Sequence, residues 1–325
     1  MIKKSRIVVG LLSLAIVMLG GCASKPVTVD VFWDTSLLQN VTRLTDDGLL
    51  KSWAKISPDG TKMLYCEANK HSQWNIILLR DVTVPAKTPL ITDSAYAPSW
   101  YENNNNYLFV AVEGGTGKIV RSAITGGGKT YVTRNPVGSD DTRPVIKNGA
   151  ILCDTLANNR RQLISMKDNG TEVTILGDGH SPSWHPTQSK FVFIRENAND
   201  SGNSVYEMDL ASVQVTQIFS ETGSRCGSPS YSSNGQYILF QKQTAQNITG
   251  TMVERVGGFL NKVTKVKGTQ IKWQIYTIKS DGTSLSPLTM GSVDAYSPSW
   301  VNDFVYFISD ASGKTELYRA RINFN

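Results

Sequence analysis

The sequence predicts an all-β fold: a six-bladed β-propeller of four-stranded blades, its ring closed by an N-terminal strand that pairs with the last blade. Three observations predict it. The first is an internal repeat of a small or turn residue, Pro, one residue, a large apolar residue and a polar turn. Its six copies are Trp53-Ala-Lys-Ile-Ser-Pro-Asp-Gly60, Pro98-Ser-Trp-Tyr-Glu-Asn103, Pro144-Val-Ile-Lys-Asn-Gly149, Pro182-Ser-Trp-His-Pro186, Pro229-Ser-Tyr-Ser-Ser-Asn-Gly235 and Pro298-Ser-Trp-Val-Asn-Asp303. With Ala54 and then each Pro as anchors, the spacings are 44, 46, 38, 47 and 69. Units of ~40–45 residues with four strands each are the propeller period. The second observation is that a short β-branched or aromatic run follows every turn. The third is a strand deficit at the C-terminus matched by a spare strand at the N-terminus.

The elements follow in order. Strand A carries the anchor. Strand B follows the turn, as in Lys62-Met-Leu-Tyr-Cys66, Tyr107-Leu-Phe-Val-Ala111, Ala150-Ile-Leu-Cys153, Phe191-Val-Phe-Ile194, Tyr237-Ile-Leu-Phe240 and Phe304-Val-Tyr-Phe-Ile308. These runs have strand composition and are bounded by turn residues. Strand C comes next, for example Trp74-Asn-Ile-Ile-Leu-Leu79 and Trp273-Gln-Ile-Tyr-Thr-Ile278. Turns such as Asp168-Asn-Gly170 and Ser280-Asp-Gly282 lead into strand D. Only five strands D appear, because the sixth unit ends at Ile322. Val41-Thr-Arg-Leu-Thr45 reads as the missing one and would leave no open edge between the first and last blades. Trp100, Trp184 and Trp300 on strand A, with Trp74 and Trp273 opening strand C, are expected to pack between blades.

The N-terminus predicts the compartment. Met1-Ile-Lys-Lys-Ser-Arg6 is basic, Ile7 to Leu19 is apolar, and Gly20-Gly21-Cys22 follows. That order is a secretory signal, and the apolar run is short against the ~20 residues that span a bilayer. Leu19-Gly20-Gly21-Cys22 resembles a bacterial lipobox. The resemblance implies cleavage before Cys22, lipid on its thiol and acylation, palmitate included, of the new amino terminus. Two or more acyl chains anchor durably, at ~0.8 kcal/mol per buried methylene. Ala23-Ser24-Lys25 lack the Asp that holds such proteins at the inner membrane, which by that analogy implies the outer membrane, facing the periplasm. The expected organisation is therefore a signal peptide at 1–21, a lipidated linker at 22–39 and the propeller at 40–325.

Composition excludes some classes. The chain is 325 residues, 40% hydrophobic and 18% charged, too apolar for a disordered chain. Without the leader, 30 basic residues face 27 acidic ones, which is no footprint for nucleic acid. Three histidines leave little for a His-rich metal centre. Cys66 and Cys153 sit in apolar runs and read as buried small hydrophobes.

The repeat resembles that of the TolB-type six-bladed propeller family. The closest matches are Ile56-Ser-Pro-Asp-Gly-Thr-Lys62, Ser181-Pro-Ser-Trp-His-Pro186 and Ile275-Tyr-Thr-Ile-Lys-Ser-Asp-Gly282 with Leu288-Thr289. The resemblance runs from about residue 40 to 322. It implies a propeller that binds an envelope protein or peptide; the α/β domain preceding the TolB propeller has no counterpart in residues 22–39. Related propellers of the prolyl-oligopeptidase type precede a serine hydrolase domain, but no Gly-x-Ser-x-Gly occurs in this sequence.

In such a ring the loops from strand D to the next strand A open onto the channel. They carry Asp47, Asp93, Asp140, Asp141, Asp178 and Asp294, an acidic rim that would draw cations or a basic peptide and would offer calcium its oxygen ligands in the channel. No other cofactor is expected. Just before the anchors lie Trp53, Tyr96, Arg143, His180 and Tyr296. These do not repeat, so they are candidates for a ligand at the channel mouth: aromatics to grip a peptide, Arg143 to pair with a carboxylate. A basic insertion of blade 5, about 243–270, carries Arg255, Lys262, Lys265 and Lys267 and suits anionic head groups or a partner. No catalytic residue stands out. The expectation is a lipid-anchored binding scaffold; the alternatives are a metal-assisted enzyme acting on glycan or peptide, and a sensor of calcium or a small ligand.

Overall fold

A computed structural model describes residues 32–34, 36–84, 86–133, 140–199, 201–255 and 261–324. Every regular element among them is a strand. Six four-stranded antiparallel sheets follow one another as blades: 51–91, 95–131, 141–178, 180–219, 226–287 and 295–322. Residues 1–31, with Cys22 and the expected signal peptide among them, lie outside the described residues.

The chain closes its own ring. Leu38–Arg43 is the fourth strand of blade 6, pairing Leu38 with Ile322, Gln39 with Arg321, Thr42 with Arg319 and Arg43 with Tyr318. The strand starts at Leu38, earlier than the Val41 expected, because Leu38 is a buried core residue against blades 5 and 6. Phe32–Trp33 pairs with Met290 and Thr289 at the D-to-A loop of blade 5, so the chain enters the fold on the face where the D-to-A loops lie.

Six apolar clusters form the core, one between each pair of neighbouring blades. This explains the unbroken apolar strands B. Each blade is covered on both faces, so Met63–Tyr65, Leu108–Val110 and Phe191–Ile194 are buried at every position rather than at alternate ones. Cys66, Cys153 and Cys226 are buried free thiols. Trp100 is buried and its indole N–H donates to the Lys55 carbonyl of the preceding blade at 2.9 Å.

The blade-5 insertion is a continuation of strands B and C. Tyr237–Arg255 pairs with Asn261–Lys279 without a register break. The part beyond Gln243 and Trp273 spans ~40 Å at ~3.3 Å per residue. It rises from the D-to-A face, since the Trp273 N–H donates to Asp294 Oδ1 at 2.8 Å. Arg255, Lys262, Lys265 and Lys267 fall on these strands, with side chains outside the described part.

Candidate functional site

The site is built on one irregularity repeated six times. Each strand A breaks register with its strand B, between Ser52 and Lys55, Tyr96 and Ser99, Thr142 and Val145, His180 and Ser183, Gly227 and Ser230, and Tyr296 and Ser299. Inside each bulge one non-glycine residue has positive φ: Trp53, Ala97, Arg143, Ser181, Ser228 and Ser297, all between 49° and 55°. In five blades the next residue is the anchor proline, whose missing N–H suits a bulge. A left-handed non-glycine residue costs of order 1 kcal/mol or more and persists only where its surroundings hold it. Side chains of neighbouring strands do so. The Trp53 N–H donates to Ser297 Oγ at 3.2 Å, the Ser181 N–H to Asp154 Oδ1 at 3.1 Å and the Ser297 N–H to Gln241 Oε1 at 2.7 Å.

The six bulges line an axial channel. It offers about 60 Å³ to water-sized molecules, room for about four waters. Larger ligands meet the mouth, where the non-repeating side chains stand.

Two of the expected mouth residues meet. Trp53 and Tyr96 lie with ring centroids 5.3 Å apart, and Trp74 stands edge-on to Trp53 at 5.4 Å. Trp74 thus joins the mouth as well as the packing between blades, because strand C of blade 1 opens on the same face. Burial, with the nearby Asp140 carboxylate, pushes the Tyr96 phenol up to about 12 against the pull of Arg143 and Arg161. Arg143 lines the channel, its side chain 37% exposed, and its Nη1 donates to Asp154 Oδ2 at 2.8 Å. His180 and Tyr296 are engaged by neighbours. His180 Nδ1 lies 3.0 Å from Ser181 Oγ and Nε2 3.5 Å from Glu196. The Tyr296 hydroxyl donates to the Lys51 carbonyl at 3.0 Å.

The rim carboxylates have cations of the chain's own. Asp47 pairs with Lys51 at 2.5 Å and Lys87 at 2.7 Å, Asp140 with Arg161 at 2.5 Å and Asp294 with Lys272 at 2.8 Å. Asp93 and Asp178 sit 3.5 Å from Lys129 and 3.7 Å from Arg160. Asp141 is buried, which raises its carboxyl, although the Thr155 and Thr133 hydroxyls and Lys118 oppose the rise. Among the described residues no three His, Cys, Asp or Glu side chains cluster as metal ligands do.

Asp47 gives the rim a pH dependence. Burial acts to raise its carboxyl, and the ammonium hydrogen bonds from Lys51 and Lys87 overcome it, holding the group at about 2. That lies below the ~3.9 of an unfolded chain, so its stabilisation is complete above about pH 4 and lost as pH falls toward 2. The melting temperature should hold down to about pH 5 and drop below pH 4. Asp47→Asn should be less stable at neutral pH and show a shallower acid drop; an unchanged acid profile would count against this pairing.

Two residues escaped the sequence reading. Asp154 is wholly buried on strand B, at the position occupied by Cys66, Val110, Ile194, Gln241 and Ile308 in the other blades. It accepts from the Thr142 hydroxyl at 2.8 Å and the Ser181 N–H, and pairs with Arg143 and, at 3.4 Å, Arg161. Lys55 is a charged residue where four other blades have serine. Superimposing the six repeats position by position would have exposed both.

No family model and no curated protein matches the sequence. Solved structures do match the fold. A putative TolB from Agrobacterium tumefaciens is similar at a TM-score of 0.58 and 14% identity, over 88% of this chain and 97% of that one. The gluconolactonase XC5397 from Xanthomonas campestris is similar at 0.60 and 9% identity, over 90% and 94%. An oligogalacturonate lyase in complex with manganese is similar at 0.56 and 14% identity, over 90% and 96%. TolB proteins and enzymes thus share the architecture, and at these identities the likeness is one of fold. The chain is a six-bladed β-propeller of the fold that TolB proteins have.

Proposed function

We propose that the protein is a lipid-anchored scaffold of the cell envelope, outer membrane facing the periplasm, that engages a protein or peptide partner at the channel mouth. One observation carries the reading: the mouth around a channel of about 60 Å³ is lined by side chains that differ from blade to blade, with an aromatic wall of Trp53 and Tyr96 beside Arg143. Aromatic and arginine side chains in a partly covered surface are the usual anchors of protein recognition. The rim acids support a docking surface over a cation trap, since their charges are already matched. The entry of the chain at Phe32–Trp33 and the blade-5 arm lie on the same face as the mouth. A tether at Cys22 would therefore turn the mouth toward the anchoring membrane, with the basic arm bearing on its head groups or on the partner.

The test places a photo-crosslinking residue at Asp93, the most exposed rim acid with a side chain 76% accessible, in the lipidated protein in living cells. The expected result is one discrete adduct, lost in Arg143→Ala while melting shows that the variant folds. No adduct from a folded, membrane-bound protein would overturn the scaffold and favour the sensor of calcium or a small ligand.

A further inference from the structure

The residue after each strand A anchor is Lys55, Ser99, Val145, Ser183, Ser230 and Ser299 in turn. Five are small or apolar and one is a lysine. Lys55 lines the axial channel two residues deeper along its strand than Trp53, the counterpart of Arg143. Its carbonyl accepts the Trp100 indole N–H, but its ammonium has no ion pair or hydrogen bond among the described residues. The carboxylates nearest the channel are committed elsewhere: Asp154 to Arg143 and Arg161, Asp140 to Arg161, Asp47 to Lys51 and Lys87. Burial alone pulls the Lys55 ammonium below the usual lysine range, with no neighbouring charge to restore it.

An ammonium held out of bulk water without a counter-charge is unfavourable, and serine at this position satisfies the fold in four blades. The lysine therefore answers to something other than the fold. The channel's unmatched interior charge is therefore positive, below a rim whose acids are already paired. Arg143, though paired with Asp154, adds donors, because its hydrogen bonds to Asp154 and Thr142 leave from Nη1 alone. The cavity of about 60 Å³ suits a group of a few heavy atoms.

We propose that the channel holds a carboxylate, with Lys55 as its counter-charge and the Arg143 guanidinium directing it in from the mouth. The carboxylate is either a free small acid or the carboxyl group of the docked partner; the second source rests on the scaffold reading above. The design is a charged socket below an aromatic rim, and it binds a terminal or side-chain carboxylate rather than a whole residue.

The experiment compares the wild-type chain with Lys55→Met, using sodium acetate as the probe at constant ionic strength. Without acetate, Lys55→Met should melt at or above the wild-type temperature, because it removes an uncompensated charge. Saturating acetate should raise the wild-type Tm by about 2 °C and leave Lys55→Met unmoved, the difference between the two cancelling general salt effects. The Asp93 crosslink is then repeated in Lys55→Met. Loss of the adduct assigns the carboxylate to the partner. A retained adduct with the acetate shift present assigns it to a free acid. An acetate shift with no adduct in either chain keeps the socket and removes the scaffold. Equal acetate responses in both chains, together with an adduct unchanged by Lys55→Met, would overturn the proposal, as would a Lys55→Met that melts well below wild type.

Discussion

A chain lacking residues 38–45 should show no cooperative unfolding transition. The segment is short, but it is the fourth strand of blade 6 and the closure of the ring. Its loss exposes the apolar surface that Leu38 and Leu44 cover, about 1.5–3 kcal/mol for each side chain. It also removes the Thr45 hydroxyl, which donates to Glu316 Oε2 at 2.5 Å and accepts the Leu317 N–H at 3.0 Å. That hydroxyl serves the Glu316–Lys51 ion pair, at 3.1 Å with both side chains wholly buried, and leaving a buried polar partner unsatisfied costs ~1–3 kcal/mol. Together these approach the ~5–15 kcal/mol that holds a domain folded. Circular dichroism melts would check it, and a sharp transition in the truncated chain would sink the closure argument.

The second large effect is at Asp154. Asp154→Ala should lower stability by about 3 kcal/mol. It leaves two guanidiniums, each about a third exposed, without their shared carboxylate and the Ser181 N–H without an acceptor. Partial hydration of the arginines keeps the cost at the lower end of the range for a buried pair. Gln241→Ala is the matched control. Gln241 occupies the same strand B position in blade 5 and accepts the Ser297 N–H, but it is neutral, so its loss should cost only about 1 kcal/mol. Combining Asp154→Ala with Arg143→Ala should recover part of the loss, as coupled residues do. If the aspartate and glutamine variants melt alike, the charge at Asp154 has no special place in the mouth.

The two residues also show where sequence reasoning stopped. The expected mouth was defined by position before each anchor, and that rule found Trp53, Tyr96 and Arg143, which lie together. It missed Asp154, which reaches the same site from strand B through the register with Thr142, and Lys55, on the far side of the bulge. The rim was legible as a list of acids, but not as a set of pairs. Asp47 meets Lys87 across blade 1, Asp140 meets Arg161 across blade 3, and Asp294 meets Lys272 from the neighbouring blade. Such pairs depend on which loops a closed ring brings side by side.

By itself the sequence determined the number of blades, the order of strands within them and the N-terminal closure. These follow from local turn chemistry and apolar runs repeated at a nearly constant period, and a repeat carries its signal within each unit. The tertiary structure decided the left-handed bulges that set the channel's width, the pairing that neutralises the rim, and the lysine left unmatched inside. Those properties belong to contacts between strands and loops distant in sequence, within blades as well as between them. Electrostatic compensation is a matter of distances of a few ångströms, and only the closed ring sets them.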